Sequence, residues 1–201
     1  MKSSQSLFVE QVKGVKHSSK ITMASLACAC LIVLLLNGSS ARAQETTASP
    51  LFSANLSSFS QVPSVLAGSS GRFLARLTSD GNIFFALSYA NVSSPVTQAH
   101  IHFGAGRTNG GVAVFLCGGP KPACPASGTI TGIITAADVS VLPANNPDSV
   151  IPQGIQPGDL AGLLRAVRVD KTYINVHTAM FPSGELRGQV KIDLVPPVEQ
   201  P

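Results

Sequence analysis

Three histidines are the residues of this chain best placed to do chemistry: His100 and His102 in QAHIHFG, and His177 in YINVHT. Both segments read as strands, and side chains alternate between the two faces of a strand. His100 and His102 therefore share one face, with Ile101 on the other. An H-x-H pair on one strand, joined by a histidine from another, makes a three-imidazole site with one position open for water or substrate. The cofactor such a donor set would take is a single copper or zinc ion; a dinuclear centre needs about twice as many imidazoles. The competing reading is structural, with each ring hydrogen-bonded to a loop carbonyl. Whether one nitrogen of each ring converges on a common point separates the two.

Glu185 follows His177 by eight residues, across the turn MFPSG, and Arg187 shares its strand face. In the functional reading Glu185 orients His177 or serves as a general base. In the structural reading, which the sequence favours, Glu185 pairs with Arg187, or Arg187 binds loop carbonyls. Asn175 joins these two as a residue supporting either the histidines or the fold. The sequence contains no G-x-S-x-G, no H-E-x-x-H and no phosphate loop. The glycine-rich GAGRTNGG feeds no helix N-terminus, so it reads as a hairpin loop, not a phosphate cradle. No catalytic residue is assigned, and the expectation is a protein that is not an enzyme.

The elements that must position these residues are mainly strands. Leu51–Leu56 is a short first strand, and Arg72–Thr78 and Ile83–Tyr89 flank an Asp80-Gly81 hairpin turn. Val96–Phe103 and Val112–Leu116 pair across GAGRTNGG, and Gly128–Thr135 alternates with β-branched residues. Lys171–Thr178 and Glu185–Ile192 form the last pair, through Pro182-Ser183-Gly184. One segment breaks the period: Asp159–Val169 spaces Leu160, Leu163, Leu164 and Val167 as a helix, with Asp159 at its start. Its apolar face is expected to cover an open end of the sheet structure. Val139–Gly158, with four prolines, reads as a loop. The fold class is all-β, a Greek-key or immunoglobulin-like sandwich or barrel with one short helix at about 159–169.

The first 43 residues read as a secretory signal. A basic segment runs to Lys20, an apolar run is densest over Leu26–Leu36, and Ala41 and Ala43 mark cleavage between Ala43 and Gln44. The apolar run is shorter than the roughly 20 residues a bilayer span needs, so the cleaved chain is not expected to span a membrane. The leader holds His17, five of the 14 basic residues and one of the 10 acidic ones. The remaining chain is formally neutral, and its cations are scattered, which argues against a nucleic-acid partner. Cys28 and Cys30 leave with the leader. Cys117 and Cys124 are then expected to form a disulfide, worth about 2.5 kcal/mol in the chain-entropy model. Residues 44–50 read as a flexible linker, 51–192 as one domain, and 193–201 as a proline-rich disordered tail. Asn55 and Asn91 begin glycosylation sequons, which matter only in a eukaryotic secretory pathway.

Two blocks together carry a family resemblance: AHIHFGAGRTNGGVAVFL and, some sixty residues on, YINVHTAMFPSGELRGQV. They resemble the CHRD domain at Ala99 to His102, Gly104, Asn109-Gly110, Asn175 to Thr178, Pro182, Gly184-Glu185 and Arg187 to Gln189. The resemblance implies an all-β domain of immunoglobulin-like or Greek-key type with no assigned biochemical activity. It therefore implies an exported, non-enzymatic module with a structural or binding role toward an extracellular or envelope partner. In chordin the domain accompanies cysteine-rich repeats that bind growth factors. Those repeats are absent here, so that activity is not carried over.

Overall fold

The computed structural model describes residues 51–193. The expected signal and its Ala43–Gln44 cleavage point, the linker 44–50 and the tail beyond Asp193 lie outside the described residues. Among the described residues, nine strands and one α-helix succeed one another along the chain. They are β1 (Leu51–Ser57), β2 (Ser70–Leu77), β3 (Ile83–Ala90), β4 (Val96–Phe103), β5 (Val112–Cys117), β6 (Gly128–Ile134), α1 (Leu160–Arg168), β7 (Thr172–Thr178), β8 (Leu186–Gln189) and β9 (Lys191–Asp193). All the strands pair antiparallel in one sheet of order β5-β4-β7-β8-β1-β2-β3-β6, with β9 continuing beside β1. The outermost strands β5 and β6 approach each other, so the sheet curls into a nearly closed barrel. The all-β, barrel-like expectation is met.

Alternation drives the curl. β3, IFFALSYA, buries Ile83, Phe85, Leu87 and Tyr89 and turns every other residue outward. The same rule sends Phe52, Ala54 and Leu56 inward from β1, Phe73 and Ala75 from β2, and Ile174 and Val176 from β7. The β2–β3 hairpin closes where Gly81 takes φ +81°, a conformation that glycine adopts freely. Helix α1 starts at Asp159, whose carboxylate accepts the Gly162 N–H at 2.7 Å. Its buried Leu163, Leu164, Ala166 and Val167 join the core.

Two expectations need correction. The single strand expected over Glu185–Ile192 is split at Val190, whose N–H goes to the Thr172 carbonyl at 2.9 Å. β8 pairs with β7 and touches β1 only at Ser57, whereas β9 pairs with Leu51–Ser53 at the other end of β1. A straight strand could not follow both neighbours around the curled sheet. The expected loop Val139–Gly158 also carries a 3-10 turn, Ile151–Gln153, and a parallel bridge from Ser149 to Val112. Gln153 then ties Phe103 and Gly111 together, accepting from Gly111 N and donating to Phe103 O.

Candidate metal centre

Ala99 and Ile101 sit in the core, so His100 and His102 occupy the outer face of β4. The register sets His100 opposite Asn175 and His102 opposite Tyr173, and brings Gln98 beside His177. Two register shifts in the β4–β5 pairing bracket Ile101: His100 faces Phe115 and His102 faces Val112, skipping Ala113 and Leu116 on β5. Such bulges kink a strand and re-aim its side chains. Side chains and loops cover this outer face. His100 is 4% exposed, His102 8%, and His177 is half-buried.

The three rings meet. His100 Nδ1 lies 3.2 Å from His177 Nε2, and the ring centroids of His100 are 5.4 Å from His102 and 4.9 Å from His177. One nitrogen from each ring falls within 4.8 Å of the other two. His102 Nδ1 is 2.8 Å from the Gly110 carbonyl, and His177 Nδ1 is 2.9 Å from the Pro182 carbonyl. A carbonyl can only accept, so both Nδ1 atoms carry the proton and both Nε2 atoms keep a bare lone pair. His100 Nδ1–H then donates to the His177 Nε2 lone pair. The Nε2 atoms of His100 and His102 are buried with no hydrogen-bond partner. The two alternatives posed by the sequence are therefore compatible. Carbonyls hold one nitrogen of His102 and His177, and the other nitrogen turns toward the cluster, as in histidines that ligate metals.

Burial, helped by repulsion from His177 and His102, holds the His100 pKa down at about 2, against an ordinary 6.5. Burial likewise lowers His102 to about 4; His177 and Arg187 add to the effect and the bond to Gly110 opposes it. His177 is also lowered, mainly by burial. All three are neutral at physiological pH, the form that ligates a metal.

Around the rings stands a shell of side chains. Tyr173 stacks on His102 with centroids 4.8 Å apart and planes 3° from parallel, and the Arg187 guanidinium lies 3.4 Å from the centre of the Tyr173 ring. Arg187 donates to the Thr108 carbonyl (2.6 Å), the Ala105 carbonyl (3.3 Å) and Asn109 Oδ1 (3.0 Å), so it pins the GAGRTNGG loop over the site. Asn175 Oδ1 accepts from Gln61 Nε2 at 3.1 Å. Glu185 makes no hydrogen bond to His177 and no ion pair with Arg187. Its fully buried carboxylate accepts from Ser93 N and Oγ, both at 3.0 Å, and from Thr178 Oγ1 at 2.7 Å. Pro182 O, not Glu185, holds the His177 ring, so the orienting role weighed for Glu185 as the alternative reading is taken by a loop carbonyl. Burial pushes the Glu185 pKa up, but the hydrogen bonds from Thr178 and Ser93 outweigh it and the net shift is downward.

Tyr173, Phe115 and Gln61 were not singled out from the sequence. Tyr173 was within reach, since it precedes His177 by four residues in YINVHT and so shares its face. Phe115, edge-on to His100 at 4.4 Å between centroids, was concealed by the bulges. Gln61, 114 residues from Asn175, left no local signal.

A single curled antiparallel sheet, a disulfide between Cys117 and Cys124 and a loop-covered polar outer face define a stapled all-β module. The family model described as CHRD domain matches residues 52–190, most of the chain, and the protein belongs to that family of extracellular and in general non-catalytic modules. No curated protein and no solved structure matches it. Among the described residues, no helix is long and apolar enough to cross a membrane.

Proposed function

We propose that this is an exported, non-enzymatic CHRD-domain module that holds one transition-metal ion, copper or zinc, through His100, His102 and His177. The observation that carries the metal reading is the pair of buried Nε2 atoms left without a partner beside the His100–His177 contact. Buried polar atoms are rarely left unpaired, and leaving one so costs about 1–3 kcal/mol. An ion at the centre of the cluster would give these lone pairs a partner. Export is supported by the family, by the disulfide and by the three-part leader over residues 1–43. The role of the module in the envelope or extracellular space is structural or binding.

Metal content decides the first part. Protein purified without chelator should carry close to one equivalent of copper or zinc by elemental analysis, and His102→Ala should lose it. Metal retained unchanged by that variant would count against the site. N-terminal sequencing of the extracytoplasmic fraction tests export. A chain starting at Gln44 supports the signal reading, and an intact Met1 there refutes it.

A further inference from the structure

We infer that the three-histidine site prefers a monovalent copper ion, Cu(I), to a divalent ion; the inference rests on the metal reading of the cluster. Charge is the deciding quantity. Three neutral imidazoles bring no negative charge to the ion, and among the described residues no aspartate, glutamate or cysteine joins the cluster. Glu185, the buried carboxylate nearest in sequence, is consumed by Ser93 and Thr178. Asp148 is the one acid whose charge acts on His177, and it is exposed, where water and salt screen it.

The fixed charge close to the cluster is positive. Arg187 lies against Tyr173, Tyr173 lies against His102, and the guanidinium charge is felt at the His102 ring. β7 runs between β4 and β8, so these three side chains are neighbours across three adjacent strands. Phe115 closes another side, edge-on to His100. An ion here would be desolvated among aromatic rings. The cost of desolvating an ion rises with the square of its charge, and its repulsion from Arg187 rises in proportion to it. A divalent ion is therefore penalised about fourfold in the first effect and twofold in the second, with no ligand charge to offset either.

Cu(I) suits the donors as well. It has a filled d shell, is content with three nitrogen ligands and needs no bound water. Zinc completes a tetrahedron and in a three-histidine site takes a water as its fourth ligand. Two nitrogens bound at about 2.0 Å to one ion lie about 3.3–3.5 Å apart. The widest pair of donor atoms in the cluster is within 4.8 Å, so a modest closing of the rings brings it to that spacing.

The full secreted protein is titrated without oxygen with Cu(I), supplied as its acetonitrile complex against a chromogenic Cu(I) chelator, and separately with Zn(II) against a zinc indicator. No thiol reductant is used, so that Cys117–Cys124 stays closed and offers no competing thiolates. The expected result is one equivalent of Cu(I) bound at least about 100-fold more tightly than Zn(II). Placing a carboxylate among the ligands with His177→Asp, at the half-buried position of the three, should narrow or invert that ratio by favouring the divalent ion. Zn(II) bound as tightly as Cu(I), or a ratio unmoved by His177→Asp, would overturn the inference and leave the metal site standing. Binding of neither ion by the unaltered protein would overturn both.

Discussion

At the scale of single residues, the outer face of β4, β7 and β8 sorts its polar groups into those that hold the fold and those left with a free valence. Glu185 belongs to the first kind. Its carboxylate collects the Ser93 N–H and two hydroxyls, all from groups that would otherwise be unpaired. Glu185→Gln keeps the shape but turns an amide NH2 toward donors, so it should cost about 2–3 kcal/mol of stability in urea unfolding. Metal stoichiometry should not change; a variant that unfolds normally but loses its metal would restore Glu185 to the site. Gly110 sits at the boundary between the two kinds. A methyl there would lie 1.8 Å from the Phe103 carbonyl oxygen, and Gly110's own carbonyl fixes the His102 ring. Gly110→Ala should therefore weaken metal binding by about 10–100-fold, the usual penalty for disturbing a group that orients a ligand. Unchanged affinity in the competition titration would show that His102 is held by its stacking on Tyr173 alone.

At the scale of elements, the disulfide ties β5 to the loop beyond its C-terminal end. Cys117 ends the strand within the core, and Cys124 lies 5.1 Å away between Cα atoms. The loop between them is ordered by Gly118 N to Pro122 O and Lys121 N to Gly118 O, and anchored by the Lys121–Asp138 ion pair. Replacing both cysteines with alanine should lower stability by about 2.5 kcal/mol, read from urea midpoints at constant slope. A loss well below 1 kcal/mol would mean that these bonds already restrain the loop. The strands themselves were largely legible because alternation and turn chemistry are local: Val96–Phe103 is met at both ends, and the others, apart from the divided last strand, within about two residues. The features that could not be read are those that depend on the curl. The division of the last strand at Val190 answers to two ends of β1, and the bulges that set Phe115 against His100 answer to β5. The histidine cluster was legible as a set, since H-x-H fixes a shared face. Its carbonyl partners Gly110 and Pro182 were not, because loop geometry decides them.

At the scale of the whole molecule, burying three imidazoles makes the fold acid-sensitive, in a direction that the pKa values set. Folding depresses the histidine pKa values, to about 4 for His102 and about 2 for His100, from an ordinary 6.5. Above pH 6.5 the rings are neutral both folded and unfolded, and they contribute no pH dependence. Below it the unfolded chain binds protons that the folded one refuses, so stability falls as pH falls. By pH 5 the loss is about 2 kcal/mol for each of these two residues. Glu185 has the opposite charge type and its own window. Its depressed pKa contributes stability above the ordinary value of 4.5, which is lost as pH drops through the folded one. Urea midpoints of the metal-free protein should thus be flat from pH 8 to 7, fall steeply toward pH 5, and fall further below 4.5. His102→Gln should remove its own share of about 2 kcal/mol from the first descent and leave the shares of His100 and His177, because glutamine takes no proton. A metal ion at about 100 times its Kd should add about 2.7 kcal/mol at pH 7. That increment should shrink on acidification once protons compete for the folded-state nitrogens, for His102 near pH 4 and below. A midpoint that stays level between pH 7 and 5 would mean that the rings take up protons inside the fold. The lone pairs would then not be held bare, and the metal reading would lose its footing.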